Sequence, residues 1–498
     1  MIPDMQGGWL SFSALVWVLS VSADVVIRVT MIGIVPGNRR PTTAMAWLLS
    51  IFILPVFGLL LFLMFGNFKL SNRRIKRQKE INARVLEATR HLEADDIVLD
   101  APDWVRSAAE LNRNLGALPL QGGNAVEFIT DYAQSLERMT LEVHRARRYV
   151  HVQFYIVGQD PDYAGPFLDA LEAAALRGVK VRFLLDHLGT LRVRGYRALV
   201  RRLNASGIQW RWMLPLSPFR RQWRRPDLRN HRKIVVVDGE TAFTGSQNLI
   251  EPSYKRRSAK RVGREWVELT AQIRGPLVTS LDVVFATDWS QETDEDLLAD
   301  LAHIEEAELE PPDAGEEIGQ VVPSGPGFEA ENNLRLFNTL IYSATERLSL
   351  TSPYFVPDDS LLYALTTAAQ RGVDVELFVS EQGDQFVVQR AQQSYYLALL
   401  RAGVRIYQYP APMVLHSKCF TVDDEVAVFG SSNMDMRSFS LNMEITVMLL
   451  GPEITGELSR VHDAYRAVSS ELLLGQWTRR PRFARWIDNV CRLTSTLQ

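Results

Sequence analysis

The residues best suited to chemistry form one motif that occurs twice. It consists of a histidine, a lysine two positions later and an aspartate five positions after the lysine, followed by a Gly-Ser-x-Asn segment. All matching positions in the two copies are 185 residues apart. Chance would give only about 0.02 matches to this spacing in such a chain, so the pair indicates a duplicated site. The copies contain His231, Lys233, Asp238, Ser246 and Asn248, and His416, Lys418, Asp423, Ser431 and Asn433.

Side-chain alternation in a strand predicts how the motif is presented. Residues two apart lie on one face, so each histidine shares a surface with its lysine. If the copies face each other, two imidazoles, two ammonium groups and two Asn amides converge. Such a site suits a phosphodiester, because ammonium and amide donors hold its oxygens. A neutral imidazole can attack phosphorus while the other, protonated, donates to the departing alkoxide.

The two aspartates and the lysines limit this interpretation. Asp238 and Asp423 are catalytic candidates, although an Asp that closes an apolar strand more often sets a turn. Lysine is not a metal ligand at neutral pH, and it stands where a second ligand would be needed. We therefore expect neither a metal nor a cofactor.

The surrounding pattern is also duplicated and predicts βα units around a buried sheet. A strand, a helix and a Gly-turn strand recur in the same order. We predict an α/β fold in which two domains, 121–290 and 323–475, contain mixed sheets packed about a pseudo-twofold axis. Residues 291–320 contain twelve Asp or Glu and no Lys or Arg, so 291–322 is interpreted as an acidic linker. The repeated segments are 149–157, 167–176 and 177–186 in the first copy, and 348–356, 361–370 and 371–379 in the second.

The N-terminal residues 1–70 are predicted to be a membrane anchor. Residues 42–68 carry no charge, and an earlier apolar run, 9–27, is also long enough to span a bilayer, so we expect transmembrane helices at about 9–28 and 44–66. Buried helices of a soluble protein are the alternative. Basic residues are concentrated in the following segment, a basic helical linker over 71–120, which favours a catalytic body on the cytoplasmic side of a multi-pass protein.

Composition gives no reason to expect nucleic acid as a partner. The chain has 498 residues and a net charge of −3, so attraction to anions must be local. Basic and aromatic residues cluster around the first motif, from Trp210 to Arg264, and again in the tail 476–498. Beside membrane spans this mixture favours anionic lipid headgroups over a nucleic-acid groove. The tail is interpreted as an interfacial helix or a solvated extension.

The doubled motif resembles the phospholipase D superfamily, and the wider chain resembles its bacterial cardiolipin synthases. The supporting segments are 40–47, 153–156, 230–233, 244–248, 351–357, 369–375 and 433–438. The resemblance implies a metal-independent enzyme of the bacterial cytoplasmic membrane. One histidine attacks a phosphatidylglycerol and releases glycerol, and a second phosphatidylglycerol then takes the phosphatidyl group to give cardiolipin. It favours His231 as nucleophile and His416 as acid and base, although the near-symmetry leaves that order reversible.

Two acidic residues at similar positions after the motifs, Glu268 and Glu444, are candidates for orienting the imidazoles. Ordinary strand carboxylates are the alternative, and the first position is often Asp in members of the family. The motif does not identify the acceptor. The sequence is therefore compatible with several other functions. These are a phospholipase that uses water, another phosphatidyltransferase, a nuclease and a non-catalytic lipid-binding scaffold.

Overall fold

The computed structural model describes two compact units. The described residues are 6–37, 39, 41–66, 72–89, 101–216, 227–254, 256–293, 295–299, 314–328 and 331–495. The units are residues 1–69 and residues 70–498. Part of the predicted acidic linker, 300–313, and part of the basic cluster, 217–226, lie outside the described residues.

The N-terminal unit contains α1 (Gln6–Ile34), α2 (Pro41–Ile53) and α3 (Pro55–Phe65). Within the described residues, one helix, over Ala14–Ile34, is long and apolar enough to cross a bilayer. The prediction of a second transmembrane helix at 44–66 is wrong, because Pro55 divides that run. Proline lacks an N–H and its ring clashes with the preceding turn. The resulting helices of 13 and 11 residues are each shorter than the roughly 20 residues that a span requires.

Helices α2 and α3 fold back on each other as a helical hairpin. The Arg39 guanidinium donates to the Gly66 carbonyl at 2.9 Å, which joins the two ends of the hairpin. Trp47 and Phe62 meet edge to face at 5.6 Å between ring centroids. A Cβ on Gly58 would lie 2.6 Å from the Ser50 carbonyl oxygen, so the close approach of the helices requires glycine here.

The second unit is built on a single mixed sheet of fifteen strands. Its strand order is β19-β13-β12-β10-β15-β16-β18-β9-β1-β8-β6-β5-β2-β3-β4. Two further strand pairs lie outside this sheet, β11 with β17 and β7 with β14. The strands are β1 (Leu120–Ile129), β2 (Tyr149–Phe154), β3 (Lys180–Asp186), β4 (Gln209–Met213), β5 (Ile234–Val237), β6 (Thr241–Gly245), β7 (Trp266–Val267), β8 (Thr270–Arg274), β9 (Glu317–Ser324), β10 (Arg347–Thr351), β11 (Phe355–Val356), β12 (Asp374–Ser380), β13 (Arg405–Tyr409), β14 (Val414–Leu415), β15 (Cys419–Val422), β16 (Val426–Gly430), β17 (Met434–Asp435), β18 (Glu444–Leu450) and β19 (Ser470–Glu471).

The sheet has the predicted twofold pattern. From the central antiparallel pair of β1 and β9, the order β8-β6-β5-β2-β3-β4 on one side matches β18-β16-β15-β10-β12-β13 on the other. In each half three strands are parallel and the rest are antiparallel. This confirms a duplicated α/β fold. The halves join through β1 and β9 into one continuous sheet.

Helices cover both halves of this sheet and pack against its buried strands. They are α4 (Asn72–Ala88), α5 (Asp103–Asn114), α6 (Tyr132–Arg145), α7 (Ala164–Leu176), α8 (His187–Leu191), α9 (Tyr196–Ala205), α10 (Arg257–Val262), α11 (Leu277–Glu292), α12 (Asn332–Ser343), α13 (Asp359–Gln370), α14 (Phe386–Gln393), α15 (Tyr396–Ala402), α16 (Met436–Ser440), α17 (Pro452–Val468), α18 (Leu474–Thr478) and α19 (Arg482–Arg492). One apolar core lies in each half and a third at their junction.

Two local features explain how the repeated segments end. Gly178 and Gly372 follow α7 and α13 with φ of 92° and 97°. Glycine adopts this left-handed conformation at the end of a helix without the steric cost that a Cβ would add. The second copy's predicted strand 348–356 is interrupted, since β10 ends at Thr351 and β11 begins at Phe355. Pro353 lies in this gap and has no N–H for the ladder. The first copy's strand likewise ends early, at Phe154.

Candidate active site

Short strand pairings between the halves position both histidines. In one, β14 runs parallel to β7, and the His416 N–H donates to the Val267 carbonyl at 2.7 Å. In the equivalent pairing at the other histidine, Asn230 forms a parallel β-bridge with Met443, and the His231 N–H donates to the Met443 carbonyl at 2.9 Å. The chain leading to each histidine is therefore beside the chain leading to a glutamate of the other copy.

Each imidazole contacts the glutamate of the opposite copy. Nδ1 of His231 lies 2.9 Å from Oε2 of Glu444 and 3.0 Å from the Ser431 carbonyl oxygen. Nδ1 of His416 lies 2.8 and 2.9 Å from the two carboxylate oxygens of Glu268. A carboxylate at Nδ1 favours a proton on that atom, which leaves the Nε2 lone pair of a neutral ring available for chemistry.

The Gly-Ser segment holds each glutamate in place. Ser246 donates to Glu268 at 2.6 Å, and Ser431 donates to Glu444 at 2.5 Å. The preceding glycine permits this approach, because a Cβ on Gly245 would lie 2.3 Å from the carbonyl oxygen of Leu269. The second copy has the same close contact at Gly430. The sequence pattern identified both serines, and the structure gives the reason for the glycine before each.

Two further residues bind the glutamates and were not predicted from the sequence. The Tyr254 hydroxyl donates to Glu268 at 2.8 Å and accepts from the Asn248 amide at 2.9 Å. In the other half, the Asn442 amide donates to Glu444 at 3.1 Å. Tyr254 and Asn442 have different side chains and no shared motif position, so the repeat could not identify them. The sequence gives one indication for Asn442, which is its position two residues before Glu444.

The lysines are buried beside their histidines. Lys233 Nζ donates to the His231 carbonyl at 2.5 Å, and Lys418 Nζ donates to the His416 carbonyl. Burial lowers the pKa of Lys233 to about 7 and that of Lys418 to about 8, against the attraction of nearby glutamates. Loss of water disfavours an ammonium group without a bound anion. An anion bound beside these ammonium groups would favour their charged form.

The imidazoles and glutamates have opposite preferences for charge. Burial lowers the pKa of His231 to about 4, with Glu444 opposing the shift, and burial likewise lowers the pKa of His416. Burial alone would raise the pKa of Glu268 and Glu444, but the facing histidine lowers it in each case. Ionised glutamates thus face neutral imidazoles at neutral pH.

Both histidines and both motif asparagines line one cavity of about 570 Å³. The Asn248 amide is engaged, since its oxygen also accepts from the Ile156 N–H at 3.1 Å. The Asn433 amide oxygen is buried and has no hydrogen-bond partner within the described ranges. Most of the charged side chains that line the cavity are arginines. They are Arg192, Arg194, Arg229, Arg256 and Arg437.

The motif aspartates lie outside the cavity lining. Asp238 accepts from the backbone N–H groups of Arg147, Arg148 and Tyr149 at 2.7 to 2.9 Å. Asp423 accepts from the equivalent loop, at residues 345–347. Each aspartate follows β5 or β15, at the opposite end from the histidine, and holds the chain entering β2 or β10. This placement supports a structural role for both residues, which we propose in place of the catalytic one.

Matches to known families assign this site, two histidines lining one cavity on a duplicated mixed sheet, to the enzymes of the phospholipase D superfamily. Residues 139–289 and 337–465 match the family described as "Cardiolipin synthase, PLD-like domain". Residues 10–67 match the family described as "Phospholipase D-nuclease N-terminal".

Similar proteins agree with these matches over almost the whole chain. The cardiolipin synthase A of Proteus mirabilis is 35% identical, with 98% of both chains covered. That of Yersinia pseudotuberculosis is 36% identical, again with 98% of both covered. The phosphatidylserine synthase of Haemophilus influenzae is similar in fold, with a TM-score of 0.57 at 16% identity over 80% of this chain and all of that one. The chain belongs to the cardiolipin synthase family and is a phosphatidyltransferase, which confirms the resemblance.

Proposed function

We propose that this chain joins two phosphatidylglycerol molecules into cardiolipin and glycerol through a phosphatidyl-histidine. The observation that carries the proposal is the crossed pair of His-Glu contacts at one cavity. Such a pair supplies a nucleophile and a separate proton carrier, as a double displacement at phosphorus requires.

In the first step, Nε2 of His231 attacks the phosphorus of one phosphatidylglycerol. The new P–N bond forms as the P–O bond to glycerol breaks, and Nε2–H of His416 gives its proton to the glycerol oxygen. The negative phosphodiester beside His416 favours the protonated ring that this step needs. Lys233, Lys418 and the amide of Asn433 are proposed to bind the nonbridging oxygens, with their charge matching that of the transition state.

In the second step, a hydroxyl of another phosphatidylglycerol enters the site that glycerol left. Nε2 of His416 takes its proton, the hydroxyl oxygen forms a bond to phosphorus, and the P–N bond to His231 breaks. His231 is again neutral and His416 is again protonated, so the cycle closes without a metal or cofactor. Glu268 and Glu444 are proposed to orient the rings and to stabilise whichever imidazole is charged.

The acceptor carries its own phosphate, which needs a second place in the cavity. Arg229 pairs with Asp186 at 3.3 Å, and Arg256 pairs with Asp384 at 3.0 Å. Arg192 and Arg194 are exposed and make no ion pair with any residue that the structure describes. We therefore propose that these two arginines bind the acceptor phosphate and favour a lipid acceptor over water.

Product analysis tests the overall reaction. The purified full chain is supplied with phosphatidylglycerol as sole phospholipid in mixed micelles with a chelator, beside His231→Ala and His416→Ala. Cardiolipin and glycerol in equal amounts, lost in both variants, are expected. Phosphatidic acid as the product would make water the acceptor. Lipid binding without any turnover in the parent would indicate a scaffold.

An activated donor lipid tests the roles of the histidines. A phosphatidyl ester of p-nitrophenol has a leaving group that needs no proton. His416→Ala is then expected to release nitrophenolate and to retain a phosphatidyl group on His231, detected as an added mass on that peptide. His231→Ala is expected to release none. The reverse pattern would exchange the two assignments.

We further propose that the protein is integral to the bacterial cytoplasmic membrane, with its catalytic unit on the cytoplasmic side. Residues 1–13 contain no Lys or Arg, whereas six basic residues lie between 69 and 79. A single crossing over Ala14–Ile34, followed by a hairpin whose ends meet, would leave these basic residues inside. Reporter fusions after residues 5 and 90 test this orientation, with opposite sides expected. If both reporters lie on the same side, the chain crosses the membrane a second time between residues 5 and 90.

A further inference from the structure

The C-terminal helix α19 has three distinct faces. Residues Ala484, Ile487, Asp488 and Cys491 face the protein and are buried or half-buried. Arg482, Arg485, Asn489 and Arg492 form an exposed polar face. The third face is apolar and exposed, with Phe483 at 70%, Trp486 at 60%, Val490 at 42% and Leu493 at 82% of full exposure. We call these four residues the apolar stripe.

The helix is fixed to the body, so the apolar stripe has a defined direction. Buried Asp488 pairs with Arg480 at 2.9 Å and with Arg390 at 3.4 Å. Cys491 is buried in the core of the second half, and Ile487 packs against that core. Leucine, tryptophan and phenylalanine on this fixed surface remain in water unless something covers them.

Helix α19, which carries the apolar stripe, packs beside a helix that lines the active-site cavity. Helix α14 packs against α19, and its Val388 lines the cavity. At the start of α14, Phe386 is 60% exposed, and the Arg390 guanidinium lies 5.3 Å from its ring centroid. Arg390 therefore contacts both Phe386 and Asp488 of α19. A surface that covered the apolar stripe would meet the protein close to the cavity.

We propose that the apolar stripe and the arginines of α19 dock onto the interfacial region of a bilayer containing anionic lipid. The charge fits, because residues 473–495 contain five arginines and one acid, and that acid is buried and paired. An apolar face beside a basic face is the pattern of helices that lie at a lipid surface. Phe and Trp enter the acyl boundary while arginine binds phosphate. Docking here would bring the cavity rim to the headgroups.

A fluorescent label tests the location directly. Trp486→Cys in the full chain is labelled with an environment-sensitive fluorophore and reconstituted into vesicles of phosphatidylcholine and phosphatidylglycerol, with or without doxyl-labelled lipid. The matched control is Leu176→Cys, an apolar position on α7 that is 88% exposed. The parent chain, whose two cysteines are buried, serves as the labelling blank.

Doxyl lipid is expected to quench the label at position 486 several-fold more than the label at position 176. The double variant Arg482→Glu and Arg485→Glu should reduce this quenching in phosphatidylglycerol vesicles. Equal quenching at both positions would overturn the proposal. So would energy transfer between labels on different copies without lipid quenching, which would assign the apolar stripe to a second copy of the chain. The readout does not depend on turnover, so it is separate from the proposed reaction.

Discussion

Nδ1 of His231 lies 2.9 Å from a carboxylate oxygen of Glu444, a residue 213 positions later in the chain. The histidine belongs to the first copy of the motif and the glutamate to the second. Glu268 and His416 repeat the arrangement in the opposite sense. Each imidazole therefore contacts a glutamate from the half that does not contain it, and neither half holds a complete histidine-glutamate pair.

Replacing either glutamate by glutamine should reduce kcat sharply. An amide can present its N–H₂ group to Nδ1, which would move the ring proton to Nε2 and remove the reactive lone pair. Loss of the correct tautomer costs about 10⁴-fold in a serine protease triad, and we expect a loss of about 10²- to 10⁴-fold in Glu444→Gln and Glu268→Gln. Cardiolipin formation under saturating lipid measures it. Glu137→Gln, at an exposed site on α6, is the matched control, and an unchanged kcat in Glu444→Gln would refute the orienting role.

The buried lysines predict a fall in kcat/KM at alkaline pH. Activity should rise as His231 loses its proton near its pKa of about 4, since only the neutral ring attacks phosphorus. It should fall as Lys233 and Lys418 lose theirs, at pKa values of about 7 and 8, because neutral amines bind phosphate poorly. In mixed micelles of fixed composition, Lys233→Arg should move the alkaline limb to higher pH. An alkaline limb unmoved by this variant would contradict the assignment.

Asp238→Asn should destabilise the protein while its folded fraction keeps its activity. The carboxylate accepts from three backbone N–H groups, and the amide of Asn would turn a donor toward one of them. An unsatisfied buried group costs about 1 to 3 kcal/mol, so the free energy of unfolding should fall by that amount, seen as a lower Tm. Asp423→Asn should lower the Tm less, because Asp423 is half-buried and its hydrogen bonds are exposed to solvent. A loss of kcat comparable with that of His231→Ala, at unchanged Tm, would restore a catalytic role.

The double variant Arg192→Gln and Arg194→Gln should change the choice of acceptor. Without a second phosphate site, KM for phosphatidylglycerol as acceptor should rise, and more of the phosphatidyl-histidine should react with water. We expect the ratio of phosphatidic acid to cardiolipin to increase about tenfold, the effect of losing about 1.4 kcal/mol of acceptor binding. Mass spectrometry of both products measures the ratio. The control is Arg201→Gln, on an exposed part of α9 outside the cavity lining.

Much of the architecture could be predicted because the motif repeats in register. The constant spacing of 185 residues predicted two equivalent halves. The alternation argument placed His231 and Lys233 in a strand, but β5 begins only at Ile234, so both residues lie in the segment before it. Both inferences use only short segments of the sequence and their spacing. The choice of partner for each histidine depends on strands from the other half, at β7 and near Met443, and no local pattern contains that information.

The errors also have physical reasons. Hydropathy treats residues 44–66 as one run, but a single Pro55 with a close contact at Gly58 makes it a hairpin. Asp238 is as regularly spaced as Lys233, and spacing alone cannot show that the Asp238 carboxylate binds the backbone of another loop. Tyr254 contacts Glu268 from a turn with a positive φ, which the sequence does not indicate.

The crossed histidine-glutamate contacts also have an evolutionary consequence. A chain with one copy of the motif could build this site only as a symmetric homodimer, in which every substitution changes both walls of the cavity. Fusing the copies removes that constraint. Here one wall has Arg192 and Arg194 while the other has Gln385 and Val388, so the two lipid-binding sides have been free to diverge. A reaction between two molecules with different roles can then be served by two halves with a common origin.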